Sequence, residues 1–93
     1  AWAREDFACV IFNLRTRHTA EAVHHVTAVF RQLQEAALDL GGSFFLTYHR
    51  AATRDQVERA YPAFPEFLRM KRRYDPDLRF QTEWWRHYEK MFR

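Results

Sequence analysis

This 93-residue chain contains only two glycines, and they are adjacent: Gly41-Gly42. Glycine enters the left-handed region without steric cost, so such a pair is where a long helix would stop. The residues before it agree. Over residues 20–40 apolar or small side chains recur at helical spacing as Val23, Val26, Thr27, Phe30, Leu33, Ala37 and Leu40, which predicts a helix ended by the glycine pair. Upstream, Phe7-Ala8-Cys9-Val10-Ile11-Phe12-Asn13-Leu14 is a continuous run of strand formers between charged flanks. Its length and lack of alternation predict a strand covered on both faces, or with one covered face beside a strand edge. Downstream, Ser43-Phe44-Phe45-Leu46-Thr47-Tyr48-His49 predicts a second strand, with Phe45 and Thr47 on one face and Phe44, Leu46 and Tyr48 on the other. Strand, helix and strand make a βαβ unit over residues 1–50, with a right-handed crossover.

All three prolines lie in the second half, where they divide a helical tail over residues 53–93. Thr53-Arg54-Asp55-Gln56 has the spacing of a capping box, in which Thr caps the Gln amide and Gln reaches back. The helix it opens runs to about Ala60 and is broken at Tyr61-Pro62-Ala63-Phe64-Pro65, since proline is excluded from helix interiors but suits a first turn. A second tail helix carries Phe64, Phe67, Leu68 and Lys71 and stops at Tyr74-Asp75-Pro76. Phe80 marks an extended return, and Thr82 caps a last helix with Trp84, Trp85, Tyr88, Met91 and Phe92 on a wide apolar face. The fold class expected is α+β, with two strands and about four helices.

Nine Phe, four Tyr and three Trp in so short a chain exclude disorder. They also exceed what a domain of this size hides, because such a chain buries only about 60–65% of its unfolded surface. Some rings are therefore expected to face a partner. Cys9 is the lone cysteine, which precludes an internal disulfide and fits a cytoplasmic, reducing setting, where it would be a small buried hydrophobe. No apolar run is long enough to span a membrane. The opening Ala1-Trp2-Ala3-Arg4-Glu5 reads as that of an excised piece. A net charge of +3 permits an anionic partner without demanding one.

Few constellations suggest chemistry. His24-His25 are adjacent on a helix and point about 100° apart, so they cannot share one ion; no metal site is expected. Arg69-Met70-Lys71-Arg72-Arg73 is either a phosphate-contacting patch or the solvated, dipole-favoured end of a helix, and nearby Glu66, Asp75 and Asp77 favour the second. No glycine-rich phosphate loop exists. Tyr48-His49-Arg50, at the end of the second predicted strand, puts a phenol, an imidazole and a guanidinium where binding groups gather.

One ordered set of short motifs goes further: Gly41-Gly42-Ser43-Phe44-Phe45-Leu46-Thr47-Tyr48, then Tyr61-Pro62, then Phe67-Leu68-Arg69-Met70-Lys71-Arg72-Arg73-Tyr74-Asp75-Pro76, then Arg79-Phe80-Gln81-Thr82. In order and spacing it resembles the C-terminal end of FAD-linked oxidases of the vanillyl-alcohol-oxidase type, in the branch with aldonolactone oxidases and the decaprenylphosphoryl-ribose oxidase. The resemblance covers a little over half of the chain. It implies half of a ferredoxin-like cap followed by returning helices, in a parent whose N-terminal domain binds FAD. It also implies a hydroxyl-bearing, sugar- or lactone-like substrate. Tyr48 would then be the candidate catalytic residue, and Phe45, His49 and Arg50 would contact substrate; the ribose-oxidase relatives have a lysine where Tyr48 stands. The isolated chain would bind no FAD and be inactive. It would self-associate through its strand edges and through the aromatic face of its last helix. The rival reading is a small basic nucleic-acid-binding or dimerisation domain.

Overall fold

The computed structural model describes residues 5–93, so the Ala1 to Arg4 opening lies outside the described residues. It is all-α: α1 (Ala20–Asp39), α2 (Arg54–Ala60), α3 (Phe64–Tyr74) and α4 (Glu83–Met91), with no strand among the described residues. This overturns the expected α+β fold and its half ferredoxin-like cap. The helix of the predicted βαβ unit is present and its two strands are not.

The reason differs for the two segments. Residues 6–17 run without a turn or a sharp bend, the course of an extended chain. Residues 8–14, however, make no backbone hydrogen bond to any described residue. A strand exists only through a ladder, and apolar content alone supplies none. In the second segment side chains take the carbonyls that a ladder would use. The Tyr61 phenol donates to the Phe44 carbonyl at 2.5 Å and the Trp84 indole donates to the Leu46 carbonyl at 3.1 Å. The chain then bends over residues 46–48. The predicted alternation holds as far as that bend: Leu46 is buried, Phe44 is half-buried and Phe45 is exposed.

The helices form where local chemistry starts and stops them. Thr19 Oγ1 accepts the Ala22 amide at the start of α1. At its end Gly42 N–H donates to Ala37 O at 2.8 Å and Gly41 N–H to Leu38 O at 3.0 Å, the paired bonds of a Schellman stop. Gly41 has φ +75, and a Cβ on Gly42 would lie 3.0 Å from the Ala37 carbonyl oxygen, so each glycine has its own reason to be there. The capping box of α2 is complete: Gln56 N–H donates to Thr53 Oγ1 at 3.3 Å and Thr53 N–H to Gln56 Oε1 at 3.1 Å. Pro65 lies in the first turn of α3, and Thr82 Oγ1 accepts the Trp85 amide to open α4.

The core lies in the tail. Ala52, Val57, Phe64, Leu68, Trp85 and Tyr88 are buried together, joined from the other half by Leu46, with half-buried Phe44 packed against them. The aromatic face of α4, expected to be left over for a partner, is spent here: Phe64 meets Trp84, Tyr88 and Phe92 at ring centroid distances of 5.9, 5.6 and 5.2 Å. Helix α1 joins the tail through a polar clamp. Gln56 Nε2 donates to Arg31 O and Glu35 Oε2, both at 3.0 Å, and Arg31 Nε donates to Ala51 O at 2.6 Å. Arg59 reaches Glu35 at 2.5 Å, Asp55 at 3.3 Å and Asp39 at 3.7 Å. The Arg59 and Gln56 hydrogen bonds hold the Glu35 carboxyl below its usual range.

No helix among the described residues is long and apolar enough to cross a membrane.

Candidate functional site

An open groove of about 680 Å³ runs along the uncovered side of α1. Val23, Val26 and Phe30 form its floor. Phe12, Leu14 and Arg15 line it from the segment before α1, and His49, Arg50 and Ala51 from the segment before α2. The floor follows from the helical repeat read in the sequence: Val23, Val26 and Phe30 fall on one face of α1. The walls are the two segments that were expected to be strands.

Two of the four predicted site residues meet here. His49 stacks its imidazole on Phe30 with ring centroids 4.2 Å apart, closing one end of the apolar floor. Arg50 lines the groove and also reaches the Glu83 carbonyl at 3.5 Å, at the first residue of α4. Tyr48 and Phe45 are not among the lining residues. The bend at 46–48 turns Tyr48 outward, leaving it 82% exposed, and Phe45 is exposed on the segment before it. The predicted quartet is therefore split, with a binding pair in the groove and two rings outside it.

With Arg15 and Arg50 and no Asp or Glu in its lining, the groove suits an apolar group that ends in an anionic or strongly polar head. A guanidinium fork can grip such a head bidentately. Asn13 and Thr16 add neutral polar contacts at the rim. The Thr27 hydroxyl donates to the Val23 carbonyl at 2.7 Å, so its proton is directed into the helix.

The motifs of the tail are joined to one another. Asp75 ends α3, and its carboxylate is bound by the Lys71 ammonium, by Arg79 N–H at 2.8 Å and by Phe80 N–H at 3.0 Å. These bonds, led by that from Lys71, hold the Asp75 carboxyl below the usual carboxylate range. They also fasten a turn in which Leu78 takes φ 50, a left-handed value that costs a non-glycine residue about 1–2 kcal/mol. Lys71 lies over the Trp85 ring at 5.1 Å, which ties this turn to the core.

The basic run of α3 is largely neutralised. Arg69 pairs with Glu66, Lys71 with Asp75, and Arg72 with Glu89 at 2.6 Å, while Arg73 lies 5.9 Å over the Tyr74 ring. His24 and His25 are both exposed on α1, and no group of three potential metal ligands gathers among the described residues. Cys9, expected to be buried, is exposed.

Two groups escaped sequence reasoning. His87 carries a buried ring nitrogen and Tyr88 a buried hydroxyl, each without a hydrogen-bond partner among the described residues. Burial first, and then nearby Arg50, pushes the His87 imidazole below its ordinary value; burial pushes the Tyr88 phenol up. Neither was separable in sequence from the apolar stripe of α4.

Comparison with known proteins returns no match: no protein-family model, no curated protein and no solved structure.

Proposed function

We propose that this chain is the C-terminal part of an FAD-dependent oxidoreductase and forms the substrate side of its active site, for a hydroxyl-bearing, sugar- or lactone-like molecule. One observation supports this reading above the others. The residues of the resemblance are bonded into one unit. Tyr61 of the Tyr-Pro step holds Phe44, and Trp84 holds Leu46 in the same segment. Asp75 of the Asp-Pro step holds Lys71 and the amides of Arg79 and Phe80. The segment so fastened continues directly into His49 and Arg50 at the groove.

The described residues do not themselves fit FAD. The only glycines are consumed in the stop of α1, and no cluster of backbone amides faces a phosphate. The cofactor would be held by the N-terminal domain that the resemblance implies. This chain's own contribution is binding: Arg50 orients an anionic or polar group, and His49 with Phe30 closes the apolar floor. Tyr48, projecting outward, is offered to whatever covers that side and is the candidate for proton transfer from a substrate hydroxyl. The 93-residue chain alone binds no FAD and oxidises nothing, and a lone thiol suits a cytoplasmic protein. The nucleic-acid reading loses support because carboxylates already occupy much of the basic run.

The test is to read and express the coding sequence upstream of Ala1 together with this chain. A flavin-coloured oxidoreductase is expected, in which Arg50→Ala raises KM more than it lowers kcat. An upstream sequence with no FAD-binding domain, or a colourless protein, overturns the reading.

A further inference from the structure

We propose that residues 8–14 pair antiparallel with the same residues of a second copy, across a twofold axis near Ile11. This goes beyond the flavin reading and does not depend on it.

The segment is built to be covered and is not. Val10 is 69% and Ile11 80% exposed, and Phe12 and Leu14 are exposed beside them. Residues 8–14 run without a bend and leave their backbone donors and acceptors unused by any described residue. None of residues 7–14 is charged, so the usual guards of an open edge are missing. The other candidate edge is not equivalent, because Tyr61 and Trp84 already occupy the carbonyls of Phe44 and Leu46.

Two observations name the occupant. The first is charge. The segment is preceded by Glu5 and Asp6 and followed by Arg15 and Arg17. Antiparallel pairing of two copies sets the acidic flank of each against the basic flank of the other; centred on Ile11, it puts Glu5 across from Arg17 and Val10 opposite Phe12. Parallel pairing would set like charge on like. The second is area. The chain exposes 7840 Å² for a mass of 11.4 kDa, against about 5,800 Å² for a compact protein of that mass. The excess, about 2,000 Å², is spread over the whole chain, and it is more than the roughly 800 Å² per partner that a standard interface covers. A second copy supplies the missing ladder, the cover and the opposite charges through one self-complementary surface.

Sedimentation equilibrium of the 93-residue chain tests this, with far-ultraviolet circular dichroism as the check on folding. The wild type is expected at twice 11.4 kDa in the micromolar range. Val10→Pro removes a ladder donor, and Ile11→Lys puts two ammonium groups together at the axis. Both positions are exposed, so each variant should keep the wild-type helical signal and weaken dimerisation at least tenfold. A wild type that stays at 11.4 kDa to high micromolar concentration overturns the proposal. So does a dimer that survives both variants, or association that appears only with loss of helical signal.

Discussion

The first half of this molecule is the richer in apolar side chains, with 25 in residues 1–46 against 19 in residues 47–93, yet it is the second half that buries more of them. In the tail, Val57, Phe64, Leu68, Trp85 and Tyr88 close a core within about thirty residues of chain. In the first half, Val10, Ile11, Phe12, Val23 and Leu40 remain exposed, while Leu46 enters that core with Phe44 packed against it. Apolar content does not decide burial; the sequence distance to a partner does. Short helices joined by tight turns bring their apolar faces together at little loop-closure cost. An extended segment beside a single long helix finds no second strand among the described residues to complete a ladder.

Truncating the tail core should break that contrast most severely. Trp85→Ala removes a ring buried between α3 and α4 and under Lys71, and is expected to cost about 3–5 kcal/mol. Against a typical total of about 5–15 kcal/mol, that leaves a marginal fold, visible as a large fall in thermal midpoint. A midpoint within a few degrees of the wild type would mean the core lies elsewhere.

The capping box comes next. Thr53→Ala should cost about 1 kcal/mol, because the Gln56 amide loses its acceptor, with the change read from denaturant midpoints at constant m. Gln56 also bonds Arg31 and Glu35, so Gln56→Ala should cost more than Thr53→Ala. The reverse order would sever the proposed link between cap and clamp.

Acid sharpens the comparison more gently. Folded Asp75 has a depressed pKa, so its contribution is complete above the ordinary carboxylate range near 4 and is lost as pH falls through the lower folded value. His87, also depressed in the folded state, loses stability earlier, as pH falls from about 6.5 towards its folded value, because the unfolded chain takes up the proton first. Asp75→Asn should flatten the lower limb of the stability–pH curve and His87→Gln the upper. Unchanged curves would show that neither group titrates differently on folding.

The smallest effect belongs to the first half. In dilute solution, where the chain is monomeric, Ile11→Ser should change stability by no more than about 0.5 kcal/mol, since its side chain is already in water. A loss several times larger would place Ile11 in an intramolecular core.

What was legible in the sequence follows the same division. Helix limits were written in adjacent residues: the Thr53/Gln56 box, the Gly41-Gly42 stop, Thr82 before α4, and Tyr74-Asp75-Pro76 after α3. Each is a hydrogen bond or a dihedral decided within a turn. The strands were misjudged because residues 8–14 have the composition of a strand and find no ladder partner among the described residues. The position of His49 and Arg50 at the end of a segment singled them out in the sequence, and both line the groove. The floor beneath them was read only as a helix face, since periodicity says which face is apolar and not whether anything lies on it. Tyr48 lies outside the groove lining beyond a bend at residues 46–48, where Leu46 accepts a bond from Trp84, 38 residues away.

The clamp around Arg59 makes α1 a lever. Its ties to the tail and to His49 fall between Phe30 and Asp39, while its first ten residues project past them along the groove. At about 1.5 Å per residue, Ala20 lies roughly 22 Å from a fulcrum at Glu35, so a tilt of only about 10° would carry that end through ~4 Å. Such a tilt would be resisted by three carboxylates gathered on one guanidinium, pairs exposed enough for salt to weaken them.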